Sequence, residues 1–599
     1  METSRSERKG TSVNAVSGVR FVGIDWWPGG GLGIALKPGL GCAIIVSLVG
    51  FSAAGATNEW TKSTSGSWEE SYWSLGQLPG MNQELVAFRN PGWKALAIGA
   101  NTTANYPASL SLNNLLVEAP TDSFNQLLLD WAGLSVPLVV HSNLKIGANG
   151  SLASHYSGLH AANAYIDGSA SFSDYSTEEF AQLWLRSGAT LNLTNGTMTC
   201  SNLPFYTATF TQSGGTHIAQ IINLPVISSD LSPSGIYYLQ GGALISAQVW
   251  MGAGGGYGPE GLGTVWQTGG VHTNFELEVG GWVHHGGSIH LGSYRLDGGL
   301  LASSNVDVYG SFSQGGGTNV VQQLNVGEGG DFWLSGGELI TSNATVYRDP
   351  NVVNQGFVQT EGVHTVRGRL LIEGWPYGDS GSPSYTLMGG KLVTAANIEI
   401  NSGALCISSH GVVLNTGMLT LSGGTLVGDN ASETQYLGQL QCARGNLDMR
   451  PRYGTGTNAT VLQFADSHTL AWTGPLQINN WGLNPGDHIY FSTNAQGLAS
   501  AQLDQIRFAR NDTDYYPAIL LPTGEVVPVS GSNEWTKPTS GNWEESYWSL
   551  GRLPGMDQSL VTFSNPGWKA LTIGAAHAIA VKPDTLFARR SAISVIGGP

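Results

Sequence analysis

Charge is scarce in this chain: Asp, Glu, Lys and Arg make up 11% of 599 residues, against about a quarter in an ordinary globular protein. The formal net charge is −16, and no stretch interleaves clustered Lys and Arg with aromatics. That excludes nucleic acid as a partner, because phosphate contacts need such clusters. Cysteine is rarer still. Beyond residue 56 it occurs as Cys200, Cys406 and Cys442, too widely spaced for a disulfide framework and without the CxxC or clustered His of a metal site. At most one bridge can form, and small buried apolar side chains are the expectation. Long amphipathic helical patterns are nearly absent. A chain so poor in charge and helix must still pair its backbone groups, and extended β-ladders do that.

What is abundant is glycine, at 84 residues, about twice its usual share of ~7%. The hydrophobic fraction of 41% is too high for a disordered Gly/Ser linker. An ordered, all-β extracellular protein fits this composition. Its first 56 residues read as a signal peptide: basic residues (Arg5, Arg8, Lys9, Arg20, Lys37) precede the apolar run GLGCAIIVSLVGFSAAGA, which ends in Ala54-Gly55-Ala56, a small-x-small cleavage pattern. The run is shorter than the ~20 apolar residues of a membrane span. No membrane span is expected in the mature chain, which is assigned to the secreted or cell-surface compartment.

Between residues 190 and 430 the sequence repeats. YYLQGGALISAQVWMG, YRLDGGLLASSNVDVYG, FWLSGGELITSNATVYR, YTLMGGKLVTAANIEIN and LTLSGGTLVGD align on a Gly-Gly pair, with LNLTNGTMTCSNL as a weaker copy. Alternation on both sides of the glycines means two short strands with one face buried, and Gly-Gly supplies a bend with φ > 0. A second phrase interleaves: TQSGGTHIAQ, WQTGGVHTNFELEV, SQGGGTNVVQQLNV and VQTEGVHTVRGRLLI. It aligns Gln212, Gln267, Gln314 and Gln359, and carries His217, His272 and His364 at a fixed offset. Units that cannot bury their own strand face stack into solenoids, here a right-handed parallel β-helix with small β-rich end modules. A β-propeller is the alternative; its blades keep more even spacing than these Gly-Gly pairs, which lie 57, 38, 53 and 34 residues apart. The glutamines are read as an internal amide ladder or as solvent-facing turn residues.

The head, NEWTKSTSGSWEESYWSLGQLPG from Asn58, returns as NEWTKPTSGNWEESYWSLGRLPG from Asn533, and the two copies agree at 35 of 43 positions. The organisation read from the sequence is a leader (1–56), a Trp-rich cap (57–118), β-helix repeats (119–430), a closing segment (431–530), a truncated second cap (533–575) and an unrelated tail (576–599). The closing words NNWGLNPGDHIYF, GLASAQLDQIRF and GEVVPV, with the opening pattern Gly66, Trp68, Trp73, Gly76, Pro79 and Gly80, resemble secreted bacterial proteins with autotransporter-associated β-strand repeats, often PEP-CTERM-type passengers. That resemblance implies a surface-displayed β-helical body of undetermined activity, so no catalytic residues carry over.

No catalytic set is assigned, and no cofactor or metal is expected. GDSGSP, with Ser380, has the look of a protease nucleophile loop, but no matching His loop accompanies it and its composition is that of a turn. A polysaccharide lyase or hydrolase would need paired carboxylates; Glu276 and Glu278 alternate with Phe275, Leu277 and Val279, as on the solvated side of a strand. Carbohydrate binding is assigned to Trp60, Trp68, Tyr72, Trp73 and Trp93, although the same aromatics suit a cap core. The expected function is structural or adhesive, with extracellular polysaccharide or cell-envelope components as partners. The alternative is a polysaccharide-binding or polysaccharide-degrading β-helix.

Overall fold

The computed structural model describes residues 55–599 except 187, 225–234, 253–262, 282–291, 328, 349–355, 375–383, 430, 450–458, 482–485, 510–514, 530–531, 550–552, 555–559, 564–569, 574–585, 589–591 and 596–599. The leader, up to residue 54, and Ser380 therefore lie outside the described residues.

One coil shows how sequence becomes architecture. A four-residue strand, Thr209–Gln212, turns at Gly214-Gly215 into a nine-residue strand, Thr216–Leu224. Each pairs in parallel with its counterpart one coil behind and one ahead: Thr190–Leu193 and Ile236–Leu239 for the short strand, Thr197–Pro204 and Ala243–Met251 for the long one. The long strand is bent. His217 and Ala219 point inward, Gln220 and Ile221 both point out, and Ile222 and Leu224 point inward again. Strict alternation would forbid two consecutive outward residues, so the chain rounds a corner there and each coil has three faces. In the coil two steps on, the same corner places Phe275 outward (61% exposed) and buries Asn274. That corrects the simple alternation read for this strand, in which Phe275 shared a face with Leu277 and Val279.

The two glycines of each pair are needed for different reasons. The second turns through the left-handed region, with φ of 66°, 73° and 66° at Gly215, Gly242 and Gly270. The first lies against the previous coil: a Cβ on Gly214 would sit 2.0 Å from the Thr194 carbonyl oxygen. Residues 225–234, 253–262, 282–291, 349–355 and 375–383 all fall between a long strand and the next short one. Insertions between long and short strands account for the 57-, 38- and 53-residue intervals, whereas Gly423-Gly424 lies opposite Ser402-Gly403, so LTLSGGTLVGD is not a copy in register with the others.

Parallel pairing continues from Thr57–Glu59 through Ile506–Ala509, so the fold is a parallel β-helix and nothing requires propeller blades. The stack includes strands on both sides of the 119–430 repeat region. In the head, Thr57–Glu59, Leu85–Phe88 and Leu110–Val117 stack in order, as do Gly66–Ser67, Trp93–Gly99 and Phe124–Ile146. At the far end Ile506–Ala509 pairs antiparallel with Tyr515–Leu520, which pairs antiparallel with Val526–Pro528. Pro528 ends the last of these strands, where a missing N–H costs least.

The interior is one continuous apolar core from Trp60 to Val526. Its axis carries a column of rings, Tyr294, Phe312, Phe332, Phe357 and Tyr385, with centroids 5.0, 4.6, 4.8 and 4.3 Å apart. Those steps match the ~4.8 Å spacing of strands, so each coil adds one ring in face-to-face offset contact. The second head copy repeats the opening topology in sheets of its own, around Trp535, Trp543, Trp548, Val561, Phe563 and Leu571. Although its sequence is unrelated, the tail supplies Leu586–Ala588 and Ala592–Val595 as the next strands of that stack.

Candidate functional site

The repeat-aligned glutamines and histidines do not form an amide ladder, and they do not face solvent. Along their stack Gln212, Leu239, Gln267, Leu296, Gln314, Leu334, Gln359 and Leu387 succeed one another. The intervening leucines hold the amides two coils apart, and all four glutamines are fully buried. The histidine position alternates with leucine in the same way, through His217, Leu244, His272 and Leu301.

Each glutamine serves a tyrosine and a histidine instead. Gln212 Nε2 donates to the carbonyl oxygens of Gly215 and Ala243 at 3.3 and 2.9 Å, which turns Oε1 toward the Tyr237 hydroxyl at 2.6 Å. That hydroxyl must therefore donate to Gln212, and its oxygen accepts from His217 Nδ1 at 2.9 Å. The tautomer follows: Nδ1 carries the proton and Nε2 accepts, from Cys200 Sγ at 3.5 Å. The pattern recurs in Gln267–Tyr294–His272, with Ser246 Oγ 3.3 Å from Nε2, and in Gln359–Tyr385–His364, with Thr341 Oγ1 at 3.1 Å.

A hydroxyl or thiol beside a histidine is the signature of an activated nucleophile. Here it is sealed. All three histidines are fully buried, and burial pushes their pKa down to about 3, while the Cys200 thiol is pushed up to about 12. A base so weak, with no approach for substrate, performs no proton transfer near neutrality. The fourth copy shows the rule by breaking it. Asn319 replaces histidine and Phe332 replaces tyrosine, and there Gln314 Oε1 and both polar atoms of the Asn319 side chain are buried without partners. Histidine and tyrosine are thus present together or absent together.

The head aromatics divide. Trp60, Trp68 and Trp73 are buried, with Trp73 edge-on to Trp60 at 5.2 Å and 4.9 Å from Trp68. Trp73 Nε1 donates to the Trp68 carbonyl at 2.9 Å, and the second copy repeats that bond between Trp548 and Trp543. These three indoles form the core of the first coil and have no face to offer a sugar. Tyr72 (47%) and Trp93 (74%) are exposed.

Outside, Asn114, Asn143, Asn163, Gln182 and Asn202 share one register at the bend of the long strand. Asn143 donates to Asn114 at 2.9 Å and Asn202 to Gln182 at 3.2 Å. The amide column read into the core is here instead, at the corner, in coils that precede the first Gly-Gly pair of the repeats. Glu278 and Asp307 are register partners on the outer face; burial raises the pKa of both, helped at Glu278 by repulsion from Asp307 and Glu276 and at Asp307 by repulsion from Glu276, against the hydrogen bond from Asn325. Among the described residues no group of three or more His, Cys, Asp or Glu is placed to hold a metal ion, and no helix is long and apolar enough to cross a membrane.

One exposed cluster escaped the sequence reading. Trp131, Tyr156 and Tyr175 stand on successive coils, the first two stacked 3.9 Å apart and the third 5.8 Å beyond. Beside them His155 Nδ1 lies 2.8 Å from Ser173 Oγ and 3.1 Å from Asp174 Oδ2. This is not a catalytic triad, which needs the serine and the aspartate on different ring nitrogens. The words DWAGL and HYSGL, at residues 130 and 155, were the signal available in sequence. No protein-family model, curated protein or solved structure matches the chain.

Proposed function

We propose that this chain is a secreted or cell-surface structural and adhesive β-helix that contacts extracellular polysaccharide or cell-envelope material and catalyses no reaction. The observation that carries the reading is the sealing of its chemistry: the three histidines paired with hydroxyl or thiol groups are fully buried and held neutral. Such groups stabilise a scaffold rather than turn over a substrate. The resemblance of the head and closing segment to surface-displayed passengers points the same way. The test is to incubate the full chain with isolated cell envelopes and a panel of polysaccharides, measuring co-sedimentation and release of reducing ends. Binding without release is expected, and turnover of any polymer refutes the proposal.

A second reading, polysaccharide cleavage, is favoured only by the Glu278–Asp307 pair, whose raised pKa values suit a general acid. It requires reducing ends whose release is abolished by Glu278→Gln.

A further inference from the structure

The corner between the short and long faces imposes a left-handed residue on nearly every coil. Later coils meet that demand with glycine, as at Gly215, Gly242 and Gly270. In three early coils the same turn places bulky residues in that region one or two positions before the register partners of Gly215, which are Gly133, Ser157 and Ser176: Trp131, Tyr156 and Tyr175 have φ of 56°, 46° and 62°, with Asp174 beside Tyr175 at 52°. Bulky side chains are strained there, and glycine or asparagine would serve the fold better. The strain also leaves the rings in water: Trp131 and Tyr175, at the two ends of the column, are 62% and 61% exposed. A structural explanation would need these aromatics to bury apolar surface, and the end rings do little of that. Ser173, His155 and Asp174 are tied to one another beside the rings. Nε2 of His155 has no hydrogen-bond partner among the described residues.

We propose that this corner binds a neutral, β-linked pyranose polymer. An equatorially substituted pyranose presents a flat C–H face, which suits an indole or phenol ring, and a rim of hydroxyls that His155 Nε2 and the Asp174 carboxylate can engage. Charge selects the class. Asp174 is exposed at the corner, Glu179 stands on the same coil paired with His160 at 3.0 Å, and the chain carries −16 overall. A uronate or sulfated polymer would be repelled, whereas a neutral one loses nothing. The inference rests on the polysaccharide part of the proposed function and gives that contact a place.

Affinity electrophoresis of the full chain in gels containing a soluble neutral β-glucan, a neutral β-mannan or polygalacturonate tests it. Trp131→Gly and Tyr175→Gly put glycine at positions of left-handed backbone, so thermal stability should be retained or increased while the apparent Kd for the neutral polymer rises at least tenfold. Tyr175→Asn, which tolerates the same backbone, should behave alike. Retardation by a neutral polymer that persists in the glycine variants overturns the corner assignment and leaves the polysaccharide reading standing. Retardation by polygalacturonate alone overturns the neutral class. If neither the gels nor isolated envelopes retain the protein, both readings fall. A change in oligomeric state of the variants with unchanged retardation would make the corner a protein contact instead.

Discussion

The sealed histidines make stability depend on pH in a direction that can be worked out. His217, His272 and His364 have folded pKa values of about 3, against about 6.5 in an unfolded chain. Between those values the unfolded state binds protons that the folded state refuses, so stability falls as pH falls. Glu178, on the same stack two coils before His217, runs the other way. Burial raises its pKa to about 8, so it holds a proton that the unfolded chain releases above about 4.3, and its contribution is lost as pH rises. Each group is worth about 1.4 kcal/mol per pH unit. From pH 6.5 to 5.0 the histidines together lose about 5 kcal/mol and Glu178 returns about 2, a net loss of about 3 kcal/mol. Above about pH 7 Glu178 dominates among these four, and stability declines towards about pH 8 by up to about 1.4 kcal/mol per unit. Maximum stability should therefore lie near pH 7.

Urea midpoints followed by tryptophan fluorescence at half-unit pH steps would trace this profile. The control is internal to the protein: His272→Asn with Tyr294→Phe copies the Asn319–Phe332 arrangement and removes one titrating group. It should roughly halve the net slope between pH 4.5 and 6.5, from about 2 to about 1 kcal/mol per unit. A wild-type midpoint unchanged between pH 6.5 and 5, or an equal slope in the double variant, would refute the reasoning.

Other substitutions probe the same framework. Asn319→His alone should destabilise by about 1–3 kcal/mol, because its Nδ1 proton would face Phe332 with no acceptor; adding Phe332→Tyr should restore the loss, and a double-mutant cycle in urea measures the coupling. Gly215→Ala places a Cβ 2.4 Å from the Gly196 carbonyl oxygen at φ of 66°, and strain with overpacking should cost roughly 2–5 kcal/mol, read as a lower urea midpoint. Trp68→Ala empties the centre of the first coil and should cost about 3–5 kcal/mol, whereas Trp93→Ala, at an exposed site, should leave the melting temperature nearly unchanged.

The coil was legible in sequence because its determinants are local. Gly-Gly marks the turn, and alternation marks the strands that flank it. What was not legible depends on which coil lies above which. The glutamines share a phrase, so a ladder looked natural. Only the two-coil period of the stack, which sets a leucine between every pair, separates them. The corner at Gln220–Ile221 was hidden for a related reason, since one skipped residue inside a strand leaves its composition unchanged. The head tryptophans show the opposite limit. Their density was obvious, but whether an indole faces a core or a sugar is decided by the strands that stack on its coil, and Leu85–Phe88 and Trp93–Gly99 follow only later in the chain.

The alternation of polar and apolar rungs also addresses a hazard that repetition creates. Coils of similar sequence can pair out of order, and a slip by one coil would preserve most apolar contacts. In this stack such a slip sets His272 where a leucine belongs and strips its Nδ1 proton of the Tyr294 oxygen. Each stranded polar group costs about 1–3 kcal/mol, and a slip strands several at once. A slip by two coils keeps histidine on histidine, yet it brings the Asn319–Phe332 unit against a neighbour built for His and Tyr. Buried polar groups are retained in other folds as markers of register, and here the mismatch penalty is largest for a slip by an odd number of coils. The unpartnered atoms of Gln314 and Asn319 are consistent with that role: one degenerate unit distinguishes the middle of the array from its ends.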